Sequence, residues 1–182
     1  MHTQRIIQNT QTWLTHAVIG LNLCPFAKAV HVKNQIRYVV SSATSTDALF
    51  DELCAELQHL AHTPAAQTDT TLLIHPDVLT DFLDYNDFLP LADMALQQLG
   101  YQGTLQIASF HPHFQFDQTD AHDISNATNR APYPMLHLLR ESSIDRAVKA
   151  FPQADAIFEA NIQTMERLGA SGWADLAQTW TK

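Results

Sequence analysis

The chain has few glycines and few positive charges, and both shortages narrow its possible functions. Its five glycines form neither a phosphate-binding loop nor a dinucleotide-binding pattern. Ten lysines and arginines stand against 19 aspartates and glutamates, giving a net charge of -9, which disfavours nucleic acids and anionic membranes as partners. No apolar run approaches the ~18 residues of a membrane-spanning helix. We therefore expect a soluble protein with neither a nucleic-acid nor a membrane partner.

Cysteine is also scarce, since only Cys24 and Cys54 are present. The N-terminal residues lack the positive segment, the apolar segment and the cleavage site of a secretion signal, so we expect a cytoplasmic protein. Cysteines in the reducing cytoplasm stay as free thiols, and we therefore expect no disulfide.

The residues that are present describe an ordinary folded protein. Of its 182 residues, 46% are hydrophobic and only 16% are charged. A chain of this length buries roughly 70% of its unfolded surface, which provides a core without a stabilising metal or disulfide. No repeat, low-complexity tract or linker divides the sequence, so residues 1–182 are expected to form a single domain.

Helical and strand patterns alternate along the chain. Apolar residues at steps of three and four predict a helix over 3–19, ended by Gly20, and a later helix with Leu49 on its apolar face. Strands are predicted at 36–40, 71–75 and 104–109. Further helices are predicted over 77–84, 88–99, 134–141, 143–151 and 155–168, and a short closing helix at 173–180. This order predicts an α/β layered domain with a small, mainly parallel sheet flanked by helices and a helical C-terminus.

Histidine is abundant, with ten copies, and four of them lie between positions 108 and 141. These four are His111, His113, His122 and His137. The block follows the third predicted strand, and ligands of open α/β sheets bind beyond the carboxyl ends of the strands. Residues 116–132 fit neither helix nor strand periodicity, and such a long loop in a compact domain is commonly either functional or disordered. Its prolines, aromatics and amides disfavour disorder. The block is therefore the predicted site.

One hypothesis for the block is a metal site. His111 and His113 lie on the same side of an extended chain, because strand side chains repeat with period two. Together with Asp123, Asp117, His122 or His137 they could bind zinc or another divalent ion that activates water for hydrolysis. The alternative is that these histidines are loop residues that hydrogen-bond the backbone.

A second hypothesis is an anion pocket. The planar guanidinium of Arg130 suits a carboxylate or phosphate. Arg140 lies one predicted helix away, and His111 or His137 lies beside it. The helix predicted to begin at Pro134 would add free backbone N–H donors to this pocket.

The same block also has a purely structural interpretation. Loops rich in asparagine and proline need side-chain partners for their unpaired backbone groups, and Asn126, Asn129 and Arg130 could serve only as such partners. The two interpretations differ in whether the side chains of Arg130 and His137 face an open cleft or are paired within the protein.

A third hypothesis makes Cys24 a nucleophile, since it lies just past a helix and before Pro25, with a histidine of the block as its base. The alternative is a buried, inert thiol.

Several segments together resemble a known family. They are Leu21–Ala27 (LNLCPFA), Thr71–Pro76 (TLLIHP), Ala108–Pro112 (ASFHP) and Thr128–Glu141 (TNRAPYPMLHLLRE). They resemble a family of bacterial proteins of about this length that is classified only as a domain of unknown function, so the resemblance implies membership and no activity. It implies that the motif positions are Cys24, His111, Gln115, Asp123, Asn126, Asn129, Arg130, His137, Arg140 and Glu141. His113 and His122 stand where the family more often has an acid, which weakens them as obligatory ligands.

These lines lead to the prediction of a small, hydrolase-like enzyme that acts on an anionic small metabolite. The candidate catalytic residues are His111, His137 and Cys24. The candidate substrate-binding residues are Arg130, Asn129, Asn126 and Arg140. The candidate ligands for a divalent metal such as zinc are His111, His113 and Asp123. The alternative function is a non-catalytic module that binds a ligand or a partner, in which the Asn/Arg/His block is structural.

Overall fold

A computed structural model describes residues 2–150 and 156–181 as helices and strands around one sheet. The helices are α1 (His2–Trp13), α2 (Ala27–Val32), α3 (Thr46–His62), α4 (Phe82–Gln98), α5 (Glu141–Ala150) and α6 (Ile157–Ala177). The strands are β1 (Ile36–Val40), β2 (Thr70–Ile74), β3 (Leu105–Phe110) and β4 (Met135–Arg140). A π-helical turn at Leu14–Ile19 extends α1, and a 3₁₀ segment spans Ile124–Asn129. None of the helices in these described ranges is both long enough and apolar enough to cross a membrane.

The four strands form one sheet in the order β1-β2-β4-β3. β1 and β2 are parallel, whereas β4 runs antiparallel to both of its neighbours. Three of the four strands therefore point the same way, and the carboxyl ends of β2 and β3 lie at the same edge of the sheet. The predicted α/β layered class with a helical C-terminus is confirmed, and the inserted antiparallel β4 is the feature that the sequence analysis missed.

Helices cover both faces of the sheet. Leu136 and Leu138 of β4 belong to a buried cluster with α3 and α4, whereas the neighbouring Met135 belongs to a buried cluster with α1. Successive strand side chains point to opposite faces, so both faces of β4 are covered. Burial of apolar area on two faces stabilises the sheet by about 25 cal/mol per Å² removed from water.

Most of the elements predicted before position 76 are confirmed, and their ends have local causes. Ser45 caps α3, because its hydroxyl oxygen accepts a hydrogen bond from the Ala48 backbone N–H at 3.3 Å. Gly20 follows the π-helical turn, where an added Cβ would lie 2.2 Å from the carbonyl oxygen of His16. Any side chain would collide with the carbonyl oxygen of the preceding turn, so this position requires glycine.

The helix predicted over 134–141 is wrong, because this segment is β4, paired with β2 and β3 along its length. A strand covered on both faces has a nearly continuous apolar sequence, which periodicity cannot distinguish from a buried helix. A helix here would have placed His137 and Glu141, four residues apart, on one face, and the strand does not. His137 lies within β4, and Glu141 begins α5.

The helix predicted over 88–99 is confirmed as part of α4, but the predicted start at 77 and the break before 88 are wrong, because one continuous helix spans Phe82–Gln98. Its N-cap is Asp81, whose carboxylate accepts a hydrogen bond from the Leu83 backbone N–H at 2.8 Å. The turn-like residues Tyr85 to Asp87 lie inside this helix, because Tyr85 is completely buried against the core and holds that turn of the helix in place.

The C-terminal helices differ from the prediction only in their bounds. α6 is continuous to Ala177 and bends at Gly169, where φ is 69°. The closing helix predicted from Trp173 is therefore mostly the last part of α6. Phe151 and Asp155, which bound two predicted helices, lie outside the described residues.

Candidate functional site

His111 directly follows β3, and its side chain is completely buried. Its Nε2 donates to the carbonyl oxygen of Leu79 at 3.3 Å, and its Nδ1 accepts from the backbone N–H of His113 at 3.0 Å. These two bonds define a neutral imidazole, and burial lowers its pKa. Both ring nitrogens are thus engaged by the backbone, which leaves no lone pair for a metal ion or for proton transfer.

His75 follows β2 at the same edge of the sheet and is also completely buried. Its Nδ1 donates to the carbonyl oxygen of Val78 at 2.9 Å, and burial lowers its pKa to about 4. The ring of Tyr85 lies 5.8 Å from the ring of His75 and 5.1 Å from that of His111, measured between centroids. The two strand-ending histidines therefore belong to a packed aromatic group around α4.

His137 lies on the face of β4 that packs towards α1. Its Nε2 lies 2.6 Å from the hydroxyl oxygen of Thr70, and that hydroxyl donates to the carbonyl oxygen of Leu138 at 2.7 Å. The Thr70 hydroxyl proton is used in the second bond, so Nε2 is the donor in the first. Burial lowers the pKa of His137 to about 4. The imidazole is therefore a neutral, partly buried group that ties β4 to β2.

Arg130 is paired with the backbone of the long loop. Its Nε donates to the carbonyl oxygen of Phe114 at 3.2 Å, and one terminal nitrogen donates to that of Ala121 at 2.8 Å. The carbonyl oxygen of Arg130 itself accepts from the indole N–H of Trp13 at 3.0 Å. Arg130 therefore joins two points of the loop to each other and to α1, which is the structural interpretation of this residue.

The two asparagines of the block have the same kind of partners. The side-chain oxygen of Asn126, a completely buried residue, accepts from the Phe116 backbone N–H at 2.9 Å, and its Nδ2 donates to the Asp120 carbonyl oxygen at 2.9 Å. The Nδ2 of Asn129 donates to the Ser109 carbonyl oxygen at 3.1 Å. Both amides satisfy backbone groups that the loop would otherwise leave unpaired.

Arg140 is the last residue of β4, whereas Arg130 lies before its first residue, at the other end of a strand that is about 17 Å long. One terminal nitrogen of Arg140 donates to the carbonyl oxygens of Leu60, Thr63 and Thr68, at the C-terminal end of α3 and just beyond it. A cation at the last carbonyl groups of a helix stabilises that helix end. The predicted anion pocket that combines Arg130 with Arg140 is therefore not formed.

The residues of the predicted metal site have separate local roles. The carboxylate of Asp123 caps the 3₁₀ segment by accepting from the Ser125 backbone N–H at 2.9 Å, which lowers its pKa. His113 is exposed, and its backbone N–H binds His111. Across residues 2–150 and 156–181, no group of three or more His, Cys, Asp or Glu side chains could hold a metal ion. The metal hypothesis gains no support from this part of the chain.

Cys24 lies in the turn between the π-helical segment and α2. It is a free thiol, partly buried against the cluster around α1. Burial raises its pKa, and the backbone N–H groups of Phe26 and Ala27 offset this effect only in part. A raised pKa is the opposite of what an activated thiolate nucleophile requires at neutral pH.

An open cleft lies where the long loop meets α6, a place that the sequence analysis did not identify. Its volume is about 500 Å³. Its lining residues are Phe116, Asp117, Thr119, Asp123, Ser125, Phe158, Ile162 and Glu166. The last three lie four residues apart along α6 and hence on one face of that helix.

The block around Asn126 and Arg130 holds this cleft in shape. Asn126 fixes the backbone of Phe116, and the 3₁₀ segment that follows Asp123 packs on α6 through the contact of Ala127 with Met165. The motif at Leu21–Ala27 also positions α6. The side chain of Asn161 in α6 donates a hydrogen bond to the carbonyl oxygen of Leu23 at 2.9 Å. Three segments that are distant in sequence therefore position the two walls of the cleft.

A row of aromatic rings connects the cleft with the buried histidines. Phe158 lies 6.2 Å from Phe116, which lies 5.0 Å from Phe114. Phe82 lies 5.4 Å from Phe114 and 5.4 Å from His111. Packed aromatic pairs at these separations contribute more than their buried area alone, so the wall of the cleft is anchored to the core.

Comparison with known proteins gives a family and no activity. A family model described as "Protein of unknown function (DUF1415)" matches residues 5–175, nearly the whole chain, and the chain therefore belongs to that family. No curated protein and no solved structure matches it.

Proposed function

We propose that this member of the DUF1415 family is a non-catalytic binding protein for a small molecule, with its site in the cleft between residues 116–125 and α6. The polar block of the family motif then serves as the brace of that site. The observation that carries the proposal is the cleft itself. It has apolar walls and an acidic rim, and the loop that forms one wall is held in place by the hydrogen bonds of Asn126 and Arg130.

The dimensions of the cleft are those of a ligand site. Small-molecule sites are concave, measure about 300–1,000 Å³ and are mostly apolar with a few polar groups. The cleft measures about 500 Å³, and Phe116, Phe158 and Ile162 provide apolar walls. Phe158 is 59% exposed, a large fraction for an aromatic side chain, so much of its surface is available to a ligand.

The charges of the cleft favour a cationic ligand. Its carboxylates are Asp117, Asp123 and Glu166, and none of the eight lining residues that the structure describes is a lysine or an arginine. Aromatic faces next to carboxylates attract an ammonium or guanidinium group. The favoured ligand therefore carries a positive charge on an apolar body, which is opposite in sign to the metabolite predicted from Arg130.

The carboxylates of the cleft make few bonds within the protein, so they can bind such a ligand. Glu166 makes no hydrogen bond or ion pair with any residue in the described ranges. Asp117 accepts only from the exposed side chain of Gln118, at 3.3 Å. Asp123 uses one carboxylate oxygen, Oδ1, to cap the 3₁₀ segment.

The hydrolase hypothesis has less support than the binding hypothesis. Arg130 and His137 are both paired within the protein, and His111 has both ring nitrogens engaged. The pKa of the Cys24 thiol is raised. A proton-transfer group needs a free lone pair or proton within reach of substrate, and these candidates offer none in a common cleft.

The test is a calorimetric titration with three probes that share one aromatic ring and differ in charge. Benzyltrimethylammonium is the cation, phenylacetate the anion and benzyl alcohol the neutral molecule. We expect the cation alone to bind measurably, and its affinity to fall with added salt because the carboxylates are exposed. Preferential binding of phenylacetate would overturn the charge assignment, and binding of none of the three at millimolar concentration would overturn the site.

Variants assign the binding to the cleft. We expect Phe158→Ala to weaken binding of the cation about fivefold, since a cation–aromatic contact at an exposed site contributes about 1 kcal/mol. Glu166→Gln should weaken it about threefold, as a partly screened charge pair. The matched control is Asp87→Asn on the exposed surface of α4, which removes the same charge elsewhere. Equal effects of Asp87→Asn and Glu166→Gln would mean that only the net charge matters.

A further inference from the structure

Helix α4 exposes large apolar side chains on the side that faces away from the core. Leu83 is 70% exposed, and Leu91 and Met94 are 43% and 42% exposed. At about 100° per residue these three side chains, the exposed row of α4, lie within about 80° of one another. The buried Phe88 and Ala92 point about 180° away from Leu83. A surface helix normally has one apolar face, and α4 has two.

The charges around the exposed row all have one sign. The carboxylates of α4 are those of Asp84, Asp87 and Asp93, and the helix contains no lysine or arginine. None of these carboxylates makes a hydrogen bond or an ion pair with another residue in 2–150 and 156–181. Their charge is therefore not neutralised by the described part of the chain.

The neighbouring helix α3, which shares a core cluster with α4, adds to this negative surface. Its acidic residues are Asp47, Asp51, Glu52 and Glu56, and it also contains no lysine or arginine. Only Glu56 of these four is paired with a cation, Arg37 at 2.8 Å, within the described ranges. The sequence has no lysine or arginine between Arg37 and Arg130, so the layer of α3 and α4 is acidic whereas the cations lie on other elements.

The chemistry of this surface indicates one kind of occupant. Exposed apolar side chains that are surrounded by polar ones mark interaction sites. Nucleic acids and anionic membranes are repelled, because their charge has the same sign. A two-fold dimer through this face would bring the three carboxylates of each α4 together, and like charges destabilise an interface. A partner with an apolar stripe between positive charges has neither disadvantage.

We propose that the exposed face of α4 docks a cationic amphipathic helix of a partner protein. Apolar side chains of that helix, at steps of three and four residues, pack between the members of the exposed row. Lysines or arginines on either side of its apolar stripe pair with the three carboxylates, which sets the orientation of the partner. The exposed row extends about 16 Å along α4, which corresponds to about three turns of a partner helix.

Pro90 supplies a further acceptor on the same face. Proline has no backbone N–H, so the carbonyl oxygen of Asn86 lacks the donor that it would otherwise have within the helix. Both residues are exposed. A lysine of the partner donates to this carbonyl oxygen as well as to the carboxylate of Asp87.

The probe is a synthetic amphipathic helix of leucine and lysine with the length of α4, 17 residues, and a fluorescent label. In one matched peptide glutamate replaces every lysine, and in another the same residues are shuffled so that the leucines no longer share a face. Fluorescence anisotropy follows each titration with the full chain. We expect the leucine–lysine helix to bind at least tenfold more tightly than either matched peptide, and its affinity to fall with added salt. Equal binding of the shuffled peptide, or no binding of the helix, overturns the proposal.

Variants assign the peptide to α4. Leu83→Gln combined with Met94→Gln should weaken binding at least tenfold and leave the circular dichroism spectrum unchanged, because both side chains are exposed. The matched control is Val32→Gln in α2, at an apolar residue that is 69% exposed, and it should leave binding unchanged. Phe158→Ala should also leave binding unchanged. A loss of binding in Phe158→Ala would place the peptide in the cleft beside α6 and overturn the proposal.

A second copy of the chain is the remaining alternative occupant, and sedimentation velocity tests it. We expect the natural protein and the combined Leu83→Gln and Met94→Gln variant to have the same oligomeric state. A dimer that dissociates in the variant would mean that a second copy covers this face, which overturns the proposal.

Discussion

The motif block and the cleft above it use polar side chains in opposite ways. In the block, the amide of Asn126 and the guanidinium of Arg130 bond to backbone groups of their own loop. In the cleft, the carboxylate of Glu166 has no partner in the described ranges, and that of Asp117 has only an exposed one. Paired buried groups stabilise a fold, whereas unpaired groups on a concave surface can bind something else. By this criterion the block has a structural role, and the cleft is the candidate binding site.

The largest expected effect is in the block, at Asn126. Asn126→Ala removes the side-chain bonds to Phe116 and Asp120 and leaves buried backbone groups unpaired. We expect it to lower the free energy of unfolding by about 4 kcal/mol, from several bonds at about 1–1.5 kcal/mol each and the cost of the unpaired groups. Urea denaturation measures this loss. Asn86→Ala on the exposed surface of α4 is the control, and a loss below about 1 kcal/mol at Asn126 would mean that it does not brace the loop.

The buried histidines make the stability of the fold sensitive to pH. The pKa of His75 is about 4 in the folded protein against an ordinary value of 6.5, so the unfolded chain binds the extra proton between these values. The contribution of neutral His75 to stability is complete above about pH 6.5 and is lost progressively as the pH falls towards 4. A shift of this size corresponds to about 3 kcal/mol, and His137 acts in the same direction.

Denaturation at pH 7, 5.5 and 4.5 measures this effect. We expect the loss of stability over that range to be clearly smaller in His75→Gln than in the natural protein, whatever the absolute stability of the variant. His122→Asn, at an exposed position, is the control and should keep the full pH dependence. An identical pH dependence in His75→Gln would show that His75 is protonated in the folded state as easily as in the unfolded chain.

The sequence predicted where this block lies and left open whether its side chains bind a ligand or brace the loop. The long loop over 116–132 was predicted because it fits no periodicity, and the family motifs mark its braces. β4 was predicted as a helix because it is buried on both faces, and this misplaced His137. The cleft was not predicted because half of it comes from α6, and periodicity shows which face of α6 is apolar but not which loop it packs against. Contacts between distant segments, such as that of Asn161 with Leu23, have no local sequence signal.

A smaller loss of stability is expected at Arg130. Arg130→Met keeps much of the side-chain length but removes the donors to Phe114 and Ala121, so we expect a loss of about 2 kcal/mol in the free energy of unfolding. Arg130→Lys should recover only part of this loss, because lysine cannot reproduce the two-directional donor geometry. If Arg130 instead bound an anionic ligand, both variants would keep their stability, and addition of phosphate would stabilise the natural protein alone.

The smallest effect belongs to the cleft. Glu166→Gln should change the free energy of unfolding by less than about 0.5 kcal/mol, because its exposed carboxylate stabilises no other group in the described chain. The same variant should weaken binding of benzyltrimethylammonium. Glu166→Gln therefore lowers binding without lowering stability, whereas Asn126→Ala should lower both. A loss of more than 1 kcal/mol in Glu166→Gln would show that the carboxylate has a structural partner, and the distinction between brace and site would then fail.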